Sequence, residues 1–421
     1  MRKDNGSVTF SVIGLGGRGS VYLNALEENF KGSYLLAAIA EPDKSRQDKI
    51  KAQYGLSEDR IFNTDEEFLD QERLSDVAIV STQDRLHKNE VLKLLDKGYD
   101  IILEKPISTK LDEVMAIYEY AKQYPEQIVV VCHVLRYTPF FNTIKKIIDS
   151  KELGNVVTIA HNENIGYYHF AHSYVRGPWN NALTSAPLAV TKSCHDFDIL
   201  LYLLGDKRTR RISSFGSLSY FCKRNFDEGK MADYCIDCQI ENKCPYSALK
   251  IYNGKKIKSV VFDFSSVEKV RQNMGASKYG RCVFNCDNNV VDHQSTIIEF
   301  EDGITATFSL SAFTPKVNRT LKITCEKGEI RAAEKPYVIE VSNFLTGETK
   351  TLELNITENG HGGGDKGFIM EFMRAYQQGE EPASTLPQSV ESHVMAFLAE
   401  KSRKEGGIPQ SVSGFLAQHN S

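Results

Sequence analysis

Residues 8–132 alternate short apolar runs with segments of helical spacing, and this alternation constrains the fold more than any other feature. Each run is rich in β-branched residues, which is typical of a strand buried on both faces. The segment HKNEVLKLLDKG (87–98) has apolar residues at 91, 92, 94 and 95 and ends at a glycine, as an amphipathic helix does. The pattern predicts a parallel sheet with right-handed crossovers. The predicted strands are VTFSVI (8–13), LLAAIA (35–40), VAIVST (77–82), YDIILE (99–104) and QIVVVC (127–132).

After residue 150 the chain changes to longer strands joined by turns. The runs GNVVTIAHNEN, RRISSFGSLSYF, STIIEFEDGITATFSLSAF and RTLKITCEKGEI indicate meander strands, with a turn at Asp302-Gly303. We therefore expect an α/β protein with a doubly wound parallel sheet in residues 1–132 and a largely antiparallel domain in 133–360. Two helices, KGFIMEFMRAYQQG and SVESHVMAFLAEKSRKEGG, are predicted within 361–421 and should pack back on the body.

The length and composition of the chain predict its number of domains and limit the kinds of molecule that it is expected to bind. At 421 residues the chain exceeds one typical core, which predicts two domains and an insertion. Lys plus Arg number 51 and Asp plus Glu 55, so no positive surplus favours a nucleic acid or a membrane surface. The start MRKDNGSVTF lacks the apolar stretch of a signal peptide, and no run of about 18 apolar residues occurs. A small-molecule substrate and a cytoplasmic location are expected.

A glycine-rich turn follows the first predicted strand. In VIGLGGRGSVYLNAL, Gly14, Gly16 and Gly19 have the spacing G-x-G-x-x-G, with a strand before them and a helix after them. In that context the first glycine permits a tight turn, and the second lets the backbone approach a pyrophosphate. The third lets helix and strand pack closely, so the motif predicts a dinucleotide site.

An acidic residue at the end of the second predicted strand helps to determine which dinucleotide is bound. Glu41 comes 22 residues after Gly19, where an acid accepts hydrogen bonds from the adenine ribose and repels a 2′-phosphate. NAD is therefore expected rather than NADP, although Arg18 and Arg46 could offset part of the repulsion. The further cofactor-binding candidates are Gly17, Arg18, Thr82, His87, Glu104 and Lys105.

The strand YDIILE runs into LEKPIS, which places Glu104, Lys105 and Pro106 at the carboxyl edge of the sheet, where open α/β sheets bind ligands. With the glycine motif and a later histidine at a helix start, the chain resembles the Gfo/Idh/MocA oxidoreductases, which include inositol dehydrogenases, over nearly its whole length. The resemblance implies an N-terminal Rossmann domain and a C-terminal α/β domain on an open, mostly antiparallel sheet that joins a homodimer or homotetramer. It also implies a cis peptide before Pro106, with Lys105 beside the nicotinamide and the substrate hydroxyl.

The chemistry of alcohol oxidation explains why a lysine would lie at position 105. Beside a cationic nicotinamide and partly desolvated, the amine of Lys105 should have a depressed pKa and can share a proton with an alcohol being oxidised. The alternative is that Lys105 only pairs with Glu104 at the surface.

The octet TKSCHDFD precedes ILLYLLG, a run that indicates a buried helix. The resembled family carries Asp-x-x-x-His-x-x-Asp here, with the histidine as acid/base, and His195 and Asp198 match its second half. Thr191 stands in place of the first aspartate, and Lys192 is predicted to share the helix face of His195. A neutral hydroxyl in place of the acid, with a cation beside it, should lower the pKa of His195 and favour the neutral base that alcohol oxidation needs. We predict that His195 and Lys105 are catalytic and that Lys192 and Asp198 bind substrate.

Other readings of the octet are weaker or remain open. A nucleophile at Ser193 or Cys194, or a zinc pair of Cys194 and His195, is disfavoured because adjacent side chains on a helix diverge. A purely structural histidine at 195 remains an alternative.

A cysteine cluster lies in an insertion expected at about 217–290. DYCIDCQIENKCPYSA has the spacing C-x2-C-x5-C, and RCVFNC adds Cys282 and Cys286. Four thiolates suit a tetrahedral zinc ion, so a structural zinc site is a candidate, with buried thiols as the alternative. Its predicted ligands are Cys235, Cys238, Cys244 and one of the later two cysteines, with Cys282 preferred.

The segment GYYHFAHSYVRGPWNN (166–181) is predicted to be a loop beside the substrate. Aromatic rings stack on sugars and an arginine can grip a carboxylate, so a sugar or a sugar acid is expected, with a packed aromatic loop as the alternative. The segment HVLRYTPFF at the domain junction matches a position that lines the active site in the resembled family. The substrate-binding candidates from these segments are His169, His172, Arg176, Trp179, Arg136 and Tyr137.

These features support one leading function and two alternatives. The leading hypothesis is an NAD-dependent oxidoreductase that moves hydride between the nicotinamide and a ring carbon of a sugar, sugar acid or cyclic polyol. The second is a glycoside-cleaving enzyme that recycles NAD through a 3-keto intermediate and elimination. The missing aspartate at 191 and the motif HGGGD (361–365), which resembles one in NAD-dependent glycosidases, favour it; HGGGD would otherwise be a flexible linker. A non-catalytic NAD sensor is the third.

Overall fold

The computed structural model describes residues 7–252, 257, 266–356 and 361–419. Two sequence expectations touch positions outside these ranges. The domain boundary expected at residue 360 lies outside the described residues, and so does part of the expected insertion, namely 253–256 and 258–265.

A six-stranded parallel sheet forms the N-terminal part of the chain, in the order β3-β2-β1-β4-β5-β6. The order reverses between β1 and β4, which leaves a crevice at the carboxyl ends of these strands. All five predicted strands are confirmed, whereas β3 has only two residues and therefore no periodic pattern to predict it. The strands are β1 (Val8–Ile13), β2 (Tyr34–Ala40), β3 (Ile61–Phe62), β4 (Val77–Val80), β5 (Asp100–Leu103) and β6 (Val129–Val131).

Helices cover both faces of this sheet, which explains why its strands are continuously apolar. Every residue of β4, β5 and β6 is buried. The helices between the strands are α1 (Gly17–Phe30), α2 (Lys44–Tyr54), α3 (Asp65–Leu69), α4 (His87–Asp96) and α5 (Leu111–Ala121).

A nine-stranded sheet forms the second part, in the order β14-β13-β12-β11-β7-β10-β9-β8-β15. The pairs are antiparallel except β7 with β10, so the prediction of a mostly antiparallel sheet is confirmed. The predicted turn joins β9 to β10 through Asp302 and Gly303, which have φ of 57° and 74°. The strands are β7 (Val156–Asn164), β8 (Thr209–Ser217), β9 (His293–Phe300), β10 (Thr305–Ser311), β11 (Asn318–Cys325), β12 (Gly328–Ala333), β13 (Val338–Asn343), β14 (Glu348–Glu353) and β15 (Gln410–Ser411).

Helices pack on the inner face of the second sheet and connect it to the first. Phe197 of α9 contacts Phe308 of β10, with ring centroids 5.2 Å apart. The outer face remains partly apolar, since Phe215 and Ile297 are each 61% exposed. The helices are α6 (Pro139–Asp149), α7 (Tyr167–Phe170), α8 (Leu188–Thr191), α9 (Cys194–Leu204), α10 (Ala248–Tyr252), α11 (Val267–Ala276), α12 (Gly364–Gln378), α13 (Leu386–Lys404) and α14 (Val412–His419).

The two predicted C-terminal helices, α12 and α13, return to the body. The ring of Phe368 in α12 lies 5.9 Å from that of Tyr22 in α1, and Phe372 lies 6.4 Å from Phe10 in β1. Residues from near the end of the chain therefore complete the core of the first sheet. Within the described ranges, no helix is long and apolar enough to cross a membrane.

Candidate active site

The glycine loop between β1 and α1 is shaped by positions that cannot accept a side chain. Gly14 has φ of +87°, and a Cβ there would lie 2.7 Å from the carbonyl oxygen of Ser81. A Cβ at Gly19 would lie 2.1 Å from the carbonyl oxygen of Gly14, so α1 packs directly against the end of β1. At Gly16 and Gly17 a Cβ would face open space.

The N-terminus of α1 fits an anionic group. The first turn has no acidic residue, and no side chain caps it. Uncapped amides and the helix dipole favour a negative charge, and the open space beside Gly16 and Gly17 leaves room for a pyrophosphate to approach the backbone. The residues of this loop therefore fit a bound dinucleotide.

Glu41 lies at the carboxyl end of β2 and is 3% exposed. Its Oε2 accepts a hydrogen bond from Leu15 N at 2.6 Å, and its Oε1 accepts one from Asp43 N at 3.0 Å. Arg46 NH1 lies 3.3 Å from Oε1. The carboxylate thus contacts the glycine loop directly, at the end of the strand where the adenine ribose is expected.

The side chains of Thr82 and His87 contact other groups of the protein. Thr82 Oγ1 donates to Glu90 Oε2 at 2.6 Å, and His87 Nδ1 lies 3.0 Å from the carbonyl oxygen of Pro106. The ring of His87 is fully buried, so it packs beneath the turn that carries Lys105. Their contacts with a cofactor stay predictions.

Lys105 and Pro106 are joined by a cis peptide, in agreement with the resemblance. The ammonium Nζ of Lys105 donates to the carbonyl oxygen of Thr191 at 3.1 Å, so the side chain reaches from the end of β5 to the end of α8. Glu104 accepts from the backbone amide of Lys105 at 2.9 Å, and among the described residues it forms no ion pair with the ammonium. The contacts disfavour the alternative of a surface Lys–Glu pair.

Arg18 joins the glycine loop to two other segments. Its Nε lies 2.5 Å from Glu104 Oε1, and its NH2 lies 2.7 Å from Asp365 Oδ1 of the HGGGD motif. Both acids occupy the guanidinium, and the expected effect of Arg18 on a 2′-phosphate stays a prediction. A Cβ at Gly364 would lie 2.4 Å from the carbonyl oxygen of Val134, so the glycines bring HGGGD against the backbone after β6.

His195 lies in the first turn of α9 and is 4% exposed. Burial and then the charge of Lys105 hold the pKa of His195 well below its usual value. The imidazole is therefore neutral at neutral pH, and its Nδ1 has no hydrogen-bond partner among the described residues. A neutral imidazole beside a lysine can accept a proton from a hydroxyl.

The prediction that Lys192 shares the helix face of His195 is wrong. Helix α8 ends at Thr191 and α9 begins at Cys194, so Lys192 lies at the kink between them. Its ammonium pairs with Glu163 of β7 at 3.1 Å. The predicted fall in the pKa of His195 is present, but burial and Lys105 cause it.

Three further histidines surround His195. The ring of His133 lies 5.8 Å and that of His361 lies 6.1 Å from His195, while His393 lies 5.4 Å from His133. His361 Nδ1 lies 3.1 Å from Asp365, which orients the ring. None of the three was predicted as a site residue, although His133 follows β6 at the same sheet edge as Lys105 and the glycines beside His361 suggested a backbone close to the substrate pocket.

Arg136, Tyr137 and Asp198 connect the elements around the site. Asp198 accepts from Arg136 Nε at 2.7 Å and from its NH2 at 2.6 Å, and both side chains are buried. Tyr137 Oη donates to the carbonyl oxygen of Ala383 at 2.6 Å. The Arg136–Asp198 pair ties the segment after β6 to α9, and contacts of the three with a substrate stay predictions.

The segment 166–181 is partly helical, so the prediction of a loop is wrong. Helix α7 is followed by a π-helical turn, Ala171–Arg176. Arg176 is 2% exposed and donates to the carbonyl oxygens of Arg281 at 2.7 Å and Tyr246 at 2.8 Å. It therefore cannot grip a substrate carboxylate in this conformation.

The other candidates of this segment divide into two groups. Burial and then the charge of Lys192 lower the pKa of His169 to about 3, and its contact with a substrate stays a prediction. His172 stacks on Tyr279 with centroids 5.0 Å apart, and Trp179 packs beside Tyr174 at 6.1 Å. His172 and Trp179 thus match the alternative of a packed aromatic segment.

The predicted structural zinc at Cys235, Cys238, Cys244 and Cys282 is not supported. In the described part of the chain, no group of three His, Cys, Asp or Glu side chains is placed to hold a metal ion. Arg176 NH2 lies 3.4 Å from Cys235 Sγ, so a guanidinium occupies the place beside this thiol. Backbone contacts hold the segments instead, with Cys282 N donating to Asp233 O at 2.7 Å.

The fold and the site define an NAD-binding oxidoreductase. Residues 8–133 match the NAD-binding Rossmann fold of the oxidoreductase family GFO_IDH_MocA, and residues 145–241 match its C-terminal alpha/beta domain. The chain belongs to this Gfo/Idh/MocA family.

Several known proteins are similar to the chain. YteT of Bacillus subtilis (strain 168) is 26% identical over 365 residues, which are 82% of this chain and 83% of YteT. The scyllo-inositol 2-dehydrogenase (NAD(+)) of the same strain is 26% identical over 205 residues, 48% of this chain and 55% of that enzyme, so this match spans only about half of each. A levoglucosan dehydrogenase structure with NADH and levoglucosan has a TM-score of 0.69 at 15% identity, over 96% of this chain and 99% of that one. At this identity the structural likeness shows the fold alone.

Proposed function

We propose that the chain is an NAD-dependent dehydrogenase that oxidises a ring hydroxyl of a sugar, a sugar acid or a cyclic polyol. The observation that carries the proposal is the convergence of Lys105 and His195. Lys105 is held by the carbonyl of Thr191, four residues before His195, and its charge helps to lower the pKa of the imidazole.

The two side chains have complementary tasks at one hydroxyl group. NAD, when bound, supplies the acceptor for a hydride from the substrate carbon. His195 accepts the hydroxyl proton because its imidazole is neutral. Lys105 donates a hydrogen bond to the same oxygen and stabilises the negative charge that develops there. His361 is placed to exchange protons with solvent, because its side chain is 41% exposed and its ring lies 6.1 Å from His195.

The cofactor is NAD in preference to NADP. The carboxylate of Glu41 ends the strand on which the adenine ribose is expected, and its charge repels a 2′-phosphate. Arg46, 3.3 Å from Glu41, is already paired with that carboxylate.

The relatives support a hydroxylated ring as substrate. The similar proteins include an scyllo-inositol 2-dehydrogenase and a levoglucosan dehydrogenase, whose names give a cyclic polyol and an anhydrosugar. We also propose a homodimer or homotetramer through the outer face of the second sheet, where Phe215 and Ile297 are exposed. The cytoplasmic location expected from the sequence stays a prediction.

The test follows NADH absorbance while the purified enzyme is incubated with NAD and a panel of sugars, sugar acids and inositols. Stoichiometric NADH with one of these compounds supports the proposal. Cleavage of nitrophenyl glycosides with catalytic NAD and no net NADH would instead support the glycoside-cleaving reaction. If NAD binds and neither reaction occurs, a sensor is supported.

A further inference from the structure

We propose that the insertion between β8 and β9 carries a second sugar-binding site, which takes the ring attached to the sugar that is oxidised. The inference rests on the proposed function and extends the substrate to at least two rings. The site is a cavity of about 340 Å³, which is in the usual range for small-molecule pockets. We call it the insertion pocket, and the lining residues that the argument uses are Tyr220, Asn225, Lys243, Tyr246 and Phe284.

Aromatic rings form the wall of the insertion pocket. Tyr220 is 40% exposed, and its ring centroid lies 5.2 Å from Phe284 and 5.8 Å from Tyr246. Phe313, 43% exposed and 5.7 Å from Tyr220, continues the wall toward solvent. These mutual ring contacts hold the wall in place, and the apolar C–H face of a pyranose can stack on an aromatic face.

Polar groups accompany the rings. In the described ranges no hydrogen bond involves the phenol oxygens of Tyr220 and Tyr246, and the ammonium of Lys243 has no acidic partner. The side-chain amide of Asn225 is anchored, since its Nδ2 donates to the carbonyl oxygen of Tyr220 at 2.7 Å. Aromatic faces with a few available donors and acceptors suit a sugar, whereas a purely apolar ligand would leave the polar groups without partners.

Helix α7 connects the insertion pocket to the active site. The ring of Tyr167 lies 5.9 Å from that of Tyr246 in the pocket wall. Two residues further on, His169 lies close enough to Lys192 and Lys105 for their charges to lower its pKa. Helix α7, which has four residues, therefore contacts the pocket wall through Tyr167 and carries His169 toward the charges of the active site. Lys192, which follows the Thr191 carbonyl that holds Lys105, pairs with Glu163 of β7 at 3.1 Å, four residues before Tyr167. The second ring of a linked sugar is therefore placed in the insertion pocket.

The test compares one-ring and two-ring sugars on the NAD-loaded protein. Glucose and galactose are paired with cellobiose and lactose, and each is measured by the KM for NADH formation and by the Kd from calorimetric titration. The variants are Tyr220→Ala and Lys243→Ala, both partly exposed and therefore tolerated by the fold. The control is Phe344→Ala, which removes a 65% exposed ring from the β13–β14 hairpin.

We expect the wild type to bind at least one disaccharide more tightly than its monosaccharide. Tyr220→Ala should raise the KM and Kd for the disaccharide by about tenfold, the loss of one stacked ring, with the monosaccharide values within about twofold. Phe344→Ala should change neither. Equal weakening of both sugars, or a wild type that binds no disaccharide more tightly than its monosaccharide, overturns the insertion pocket. If no sugar reduces NAD while disaccharide binding still depends on Tyr220, the proposed function fails and the pocket stands.

Discussion

The ammonium of Lys105 donates a hydrogen bond to the backbone carbonyl of Thr191 at 3.1 Å. Residue 191 is the position at which the chain lacks the aspartate expected from the family pattern. A backbone carbonyl is present whatever the side chain, so the missing carboxyl group does not remove the anchor of the lysine. The contact joins the edge of the parallel sheet to the helix of His195 and makes the two side chains parts of one site.

Removing the ammonium of Lys105 should reduce turnover and spare cofactor binding. Lys105→Met keeps the length of the side chain but leaves the developing alkoxide without its donor, so kcat should fall by about 10²–10⁴. The Kd for NAD, measured by fluorescence titration, should stay within about threefold of the wild type because the glycine loop is unchanged. Lys110→Met, an exposed lysine on the same loop, serves as the control. Turnover that survives in Lys105→Met removes this lysine from the mechanism.

The pH profile reports the state of His195. Its pKa lies well below the usual 6.5, so the neutral base persists as the solution is acidified. The value of kcat/KM for the wild type should therefore stay level from pH 8 down to about pH 6. In Lys105→Met one nearby cation is gone, the imidazolium is less disfavoured, and the acid limb of the residual activity should move to higher pH. An acid limb near pH 6.5 in the wild type, or one that moves to lower pH in the variant, contradicts this assignment.

Glu41 should control the choice of cofactor. Glu41→Ser removes the charge that repels a 2′-phosphate and frees Arg46, 3.3 Å away, to pair with that phosphate. The ratio of kcat/KM for NAD to that for NADP should fall by about tenfold or more. The neighbouring variant Asp48→Ser, on the exposed surface of α2, should leave the ratio unchanged. A ratio that is the same in Glu41→Ser and in the wild type excludes the role given to this carboxylate.

The buried His393 should make the fold sensitive to acid. Burial lowers its pKa to about 3, and its Nε2 accepts from Ile107 N at 3.0 Å, so the ring is neutral in the folded chain. The unfolded chain binds a proton below about pH 6.5, and stability is therefore lost as the pH falls, by about 1.4 kcal/mol per pH unit for one histidine. Urea unfolding should show that His393→Gln is less stable at pH 7.5. Below pH 6, the change in its free energy of unfolding with pH should be smaller than in the wild type by the amount that corresponds to about one proton. The control is His419→Gln, at the end of α14, which should keep the slope of the wild type. A slope in His393→Gln equal to that of the wild type rejects the explanation.

The sequence predicts the parts of this molecule that depend on local pattern. Apolar runs and glycine spacing predict β1 to α1 because Gly14 and Gly19 meet steric demands within the loop, where a Cβ at Gly19 would lie 2.1 Å from the carbonyl oxygen of Gly14. The position of Lys105 at the edge of the sheet is also predictable from local pattern, because this lysine follows the end of a predicted strand.

Contacts between distant segments cannot be predicted from local sequence patterns. Helix α8 ends at Thr191, and the next residue, Lys192, pairs with Glu163 of β7 at 3.1 Å. That partner lies 29 positions away, so neighbour spacing alone could not predict it. The thiols of the insertion likewise have the spacing of metal ligands, but the packing places Arg176 beside Cys235.

The most direct test of the central claim uses deuterium. The best substrate from the sugar panel is prepared with deuterium on its ring carbons, and the NADH formed in a single turnover is examined by mass spectrometry. Hydride transfer to NAD at the site of Lys105 and His195 predicts one deuterium per reduced cofactor and a slower single-turnover rate, with no transfer in His195→Ala although NAD still binds. Reduced cofactor without deuterium, or undiminished transfer in His195→Ala, would contradict the account.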